Sequence, residues 1–64
     1  MMVKIVDYDT HNTLWTGDLS LLPRVGERIY TGDEDDDEYI VADHSWHLNE
    51  QVPFVFIEAR PATT

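Results

Sequence analysis

The sequence predicts an all-β fold, a small five-stranded antiparallel barrel, and three observations carry that prediction. No stretch shows the 3.6-residue apolar stripe of an amphipathic helix. Short segments rich in β-branched and aromatic residues alternate with clusters of turn formers. The chain has 64 residues and no cysteine, so it must bury a core without disulfide staples. Short strands joined by tight turns do this by curling on themselves.

The first strand is expected over residues 2–8, M-V-K-I-V-D-Y, with Val3 and Ile5 on one face and Lys4, Val6 and Tyr8 on the other. The polar run Asp9-Thr10-His11-Asn12 turns the chain into a hairpin, and residues 13–19 return as the second strand. Trp15 and Leu19 share a face there, and Gly17 suits a bulge or a close backbone approach. Residues 20–27 form a connector in which Pro23 and Gly26 exclude a helix. Residues 28–31, R-I-Y-T, open a third strand that Gly32 ends. The fourth strand is expected over residues 39–48, with Ile40, Ala42, His44, Trp46 and Leu48 on one parity facing inward. The fifth runs over residues 52–59, V-P-F-V-F-I-E-A, and Pro53, which lacks a ladder donor, belongs at its start or on an edge. The domain thus spans residues 1–61, with an acidic loop at 32–38 and a flexible tail at 62–64.

Charge bounds the partners. Thirteen acids face four basic residues, Lys4, Arg24, Arg28 and Arg60, for a formal net charge of -9. Six consecutive acids, Asp33, Glu34, Asp35, Asp36, Asp37 and Glu38, sit between the third and fourth strands. A field of that sign attracts basic surfaces and repels phosphates, so direct nucleic-acid binding is not expected. The N-terminal M-M-V-K has no apolar segment behind its charge, and no apolar run is long enough for a membrane helix. The expected setting is the cytoplasm, without membrane contact.

The segments V-D-Y-D at residues 6–9, L-S at 19–20 and V-G-E-R-I at 25–29 are similar to the pattern of SH3-like barrels. In those folds an apolar residue, a Gly, an acid and a β-branched residue lead the chain into a central strand. L-L-P-R-V-G-E-R-I, followed by Y-I-V and a Trp, also resembles small phage- or prophage-encoded β-proteins without assigned function. The features of proline-rich peptide binders are absent: Trp46 lies between Ser45 and His47, with no adjacent Trp, and no Tyr follows Pro53. The resemblance implies a barrel of phage origin, acting in the host cell cytoplasm.

Candidate chemistry is thin. Asp33, Asp35 and Asp37 alternate like early calcium-loop ligands, but the sixth position is Glu38 rather than Gly and the twelfth is His44 rather than Glu. His44, His47 and Asp43, with His11 farther off, have the residue types of a zinc site. Positions 44 and 47 point to opposite faces of a strand unless a bulge intervenes. Ser45, His47 and Asp43 are triad-like only in composition, because neighbours on one exposed strand supply no oxyanion hole. No metal, cofactor or catalytic residue is assigned.

The expectation is a non-enzymatic protein-binding module whose six acids, Asp33 to Glu38, meet a basic protein surface. A phage-encoded inhibitor of a host nucleic-acid-binding or defence protein is its concrete form, and a small virion or assembly component is the alternative. The fifth strand is apolar on both faces, which predicts that a partner or a second copy covers Phe54, Phe56 and Ile57 in a homodimer.

Overall fold

The computed structural model describes residues 1–32 and 37–62. Five strands follow in order: β1 (Met2–Asp7), β2 (Thr13–Asp18), β3 (Arg28–Tyr30), β4 (Glu38–His47) and β5 (Phe54–Pro61). They form one sheet of order β2-β1-β5-β4-β3 that curls into a half-barrel. The all-β expectation holds, but the sheet is mixed rather than antiparallel. β5 lies between β1 and β4 and runs parallel to β1, pairing Val3 with Val55 and Ile5 with Ile57. The physical reason lies in composition. β5 opens with F-V-F-I, apolar on both faces, and a strand of that kind takes a central position in a sheet.

The concave face holds the core. Val3, Ile5, Val41, Val55, Ile57 and Ala59 are buried together, and Leu14, Trp15, Leu19, Leu22, Ile29 and Tyr39 pack against them. Alternation along β1 and β5 places Val3, Ile5, Val55, Ile57 and Ala59 on this side, while Lys4, Phe54, Phe56 and Glu58 take the convex side. Val6 is also buried, on the opposite parity from Val3 and Ile5.

β4 departs from its expected parity. Its register against β5 slips between Val41 and Asp43, so Ala42 is an extra residue without a partner. Before this bulge Tyr39 and Val41 face the core; after it His44 and Trp46 do, opposite Ile57 and Val55. Ile40, expected inward, instead pairs with Arg60 on the convex side. Leu48 lies beyond the strand and is exposed.

The turns follow their chemistry. Asp7 ends β1, and its Oδ1 accepts from Asp9 N at 2.8 Å and Thr10 N at 3.1 Å. His11 closes the hairpin with φ 63, its N donating to Asp7 O at 2.8 Å. At Gly17, expected at a bulge or a close backbone approach, it is a side chain that comes close: a Cβ there would meet the Trp15 ring at 2.5 Å. Gly26, at φ 93, sits in the turn that Glu27 N closes onto Arg24 O at 3.0 Å. Pro53 immediately precedes β5, where its missing N–H costs no ladder bond. Ala62, expected in a flexible tail, donates to Glu38 O at 3.0 Å; residues 63–64 of that tail lie outside the described residues.

Candidate functional site

The acidic run joins β3 to β4. Asp33, Glu34, Asp35 and Asp36 lie outside the described residues, and the last two acids of the run, Asp37 and Glu38, are described. Thr31 N donates to Asp37 O at 2.9 Å, and Thr31 Oγ1 reaches the same carbonyl at 3.3 Å. Glu38, expected in the loop, is the first residue of β4. Its Oε2 accepts from Arg28 Nη1 at 3.0 Å and from Tyr30 Oη at 3.1 Å. Strand pairing sets this cluster up, because Tyr30 is the cross-strand partner of Glu38 and Arg28 lies one alternation along the same face.

Several other carboxylates work within the fold. Asp18 takes the N-terminal ammonium at 2.5 Å, and Glu27 Oε1 caps Arg24 N at 2.7 Å. Asp7 holds the first hairpin, and Asp43 Oδ1 accepts from His44 N at 2.8 Å. The register places Asp43 directly opposite Glu58 on the convex face. Like charges so placed repel, and a cationic group brought between them would relieve that repulsion. Of the basic residues, Arg28 is engaged by Glu38, and Arg60 lies 4.1 Å from the centroid of the Tyr8 ring.

The residues expected at a self-contact fall on two faces. Ile57 is fully buried in the core and has no outer surface to offer. Phe54 and Phe56 take the convex side, where His47 stacks on Phe54 at 4.6 Å and meets Phe56 edge-on at 5.9 Å. Part of the cover for the outer face of β5 therefore comes from β4 of the same chain.

The bulge leaves His44 and His47 on opposite faces, opposite Ile57 and Phe54 respectively. Among the described residues no group of three or more His, Asp or Glu side chains is placed to hold a metal ion. Ser45 Oγ lies 3.0 Å from His47 Nε2, but Asp43 is turned to the His44 backbone instead of orienting that imidazole. Trp15, Leu22 and Ile29, which pack against the core, line an apolar groove together with Leu19 and Leu21. No described helix is long and apolar enough to cross a membrane.

The Arg28–Tyr30–Glu38 cluster was not anticipated from the sequence. Its signal was the alternation of Arg28 and Tyr30 before an acid across a short hairpin, which becomes readable once the strand register is known. No family model, curated protein or solved structure matches this chain.

Proposed function

We propose that this chain is a small acidic, non-enzymatic protein-binding module that docks on a basic surface of another protein. The observation that carries this reading is the charge distribution. Thirteen acids stand against four Lys and Arg residues, and the run from Asp33 to Glu38 joins β3 to β4, where Arg28 of β3 is already engaged by Glu38. Clustered charge of one sign accelerates encounter with the opposite sign and sets partner choice.

The specific form we favour is a phage-encoded inhibitor of a host nucleic-acid-binding or defence protein, acting in the host cytoplasm. Its supports are size, charge and the V-G-E-R-I resemblance. An SH3-like assignment draws support from the curled all-β sheet and from the Gly26 turn leading into β3, while the parallel β1–β5 pair departs from an antiparallel barrel. A second reading, a virion or assembly component, is favoured by the partly exposed Phe54 and Phe56 on the convex face.

Affinity capture on the immobilised chain tests the first reading, run beside the triple variant Asp35→Asn/Asp36→Asn/Asp37→Asn. The wild type is expected to retain basic proteins that elute as salt is raised, and the variant to lose them with a flatter salt dependence. Equal retention by both chains would remove the acidic run from the function.

A further inference from the structure

β4 is longer than the strand beside it. β3 pairs only with Glu38 to Ile40, and the turn before it adds one more step, with Val41 N donating to Glu27 O and Gly26 N to Val41 O. Beyond Val41 the outer edge of β4 has no backbone partner among the described residues. Which groups point there follows from the ladder. Ala59 O accepts from Tyr8 N on the β1 side, so the alternation turns the backbones of Phe54, Phe56 and Glu58 toward β4. Their partners His47, Ser45 and Asp43 therefore bond inward. His44 and Trp46 point their N–H and C=O groups outward. The His44 N–H confirms this direction, since it is met by the Asp43 carboxylate.

We propose that this edge is a self-association surface, joining two copies by antiparallel pairing of β4 with β4 about a two-fold axis at Ser45. Three observations select a second copy and this register. Centring on Ser45 makes His44 and Trp46 reciprocal hydrogen-bonded partners, which matches the outward parity of both. It sets Asp43 of each copy opposite His47 of the other on the convex face, an acid against an imidazole at both ends of the seam. It also covers the outward backbone of Trp46, a residue that is 53% exposed although it lies on the core face.

The net charge does not forbid it. In this register the two Glu38 residues, where the acidic runs join β4, lie fourteen positions apart, about 45–50 Å along the joined strands. That is several times the Debye length of about 8 Å at physiological salt, so the runs are screened from one another. Within one chain the Asp43 carboxylate guards the edge, as charges do on many sheet edges. On pairing, Trp46 of the partner replaces it on the His44 N–H and frees it for His47. The result is one ten-stranded sheet with β2 of each copy at its ends. This inference is independent of what the acidic run binds.

Light scattering over a range of concentrations, with single-cysteine cross-linking, tests it. The chain has no cysteine, so Ser45→Cys is an unambiguous reporter. At a non-hydrogen-bonded antiparallel pair the Cα atoms stand about 4.5 Å apart, within disulfide range. Expected are a mass approaching twice the monomer, rapid disulfide dimer formation by Ser45→Cys but not by Thr16→Cys on the opposite edge of the sheet, and a folded monomer for Ser45→Lys, which sets two ammonium groups on the axis. A chain that stays monomeric at all concentrations overturns the proposal. A dimer in which Ser45→Cys cross-links no faster than Thr16→Cys overturns it too, and places the contact elsewhere, as on the Phe54–Phe56 face.

Discussion

Asp7 illustrates how single acids serve this fold before they serve a partner. It is nearly buried at the end of β1 and satisfies two consecutive backbone N–H groups of the hairpin. Asp7→Ala leaves both without that acceptor, and the expected loss is about 1–2 kcal/mol, measured by urea denaturation. Two glycines separate the reasons for having no side chain. At Gly17 a methyl group meets the Trp15 indole, so Gly17→Ala is expected to cost about 1–3 kcal/mol as the ring leaves its seat. At Gly26 the space is open but φ is 93, so Gly26→Ala is expected to cost about 1 kcal/mol of backbone strain. Trp fluorescence discriminates them, because only the Gly17 variant disturbs Trp15 directly.

At the scale of elements, β4 carries the decisive irregularity. The Ala42 bulge lets Val41 and His44, three residues apart, face the same side of the sheet. Deleting Ala42 would restore strict alternation and force one half of the strand to present its polar face to the core. The expected outcome is a chain without a cooperative unfolding transition by circular dichroism. A variant that stays folded would show that the bulge is accommodated elsewhere. β5 is the other controlling element, flanked by strands on both edges. Ile57→Ala should cost about 2–5 kcal/mol, against a total on the order of 3–10 kcal/mol for a domain this small. Most of the folded population would be lost at moderate denaturant. Legibility differed between these strands. Alternation in β1 and the turn residues around Gly26 were readable because local sterics decide them. The bulge was not, because nothing in Y-I-V-A-D-H names which residue the partner strand will skip. The two-sided apolar pattern of β5 was readable, but it had two physical solutions: a covered outer face, or a place between two other strands.

For the whole molecule, charge opposes compaction. A net charge of -9 on 64 residues makes self-repulsion a destabilising term that salt screens. The melting temperature is therefore expected to rise as sodium chloride increases from low to physiological concentrations, with most of the gain achieved once the Debye length falls to about 10 Å. A flat profile would mean that the carboxylates held by Arg28, the N-terminal ammonium and backbone N–H groups already compensate the charge locally. Topology sets a second property. Pairing β1 with β5 brings together strands from the two ends of the chain. Such non-local pairing must bear loop-closure entropy before contacts compensate it, so folding is expected on the millisecond-to-second scale by stopped-flow fluorescence.

The sequence by itself determined the strand-rich character, the positions of the turns and the sign of the surface field. Those follow from side-chain branching, from glycine and proline dihedrals and from charge count, all of which act locally or without regard to fold. Only the tertiary structure decided that β5 inserts parallel to β1, that Ala42 is skipped, that Ile57 is core while Phe54 and Phe56 are not, and that Glu38 belongs to a cluster with Arg28 and Tyr30. Each of these depends on which strand lies beside which, a choice made by burial summed over the whole chain, so no local stretch of sequence encodes it alone.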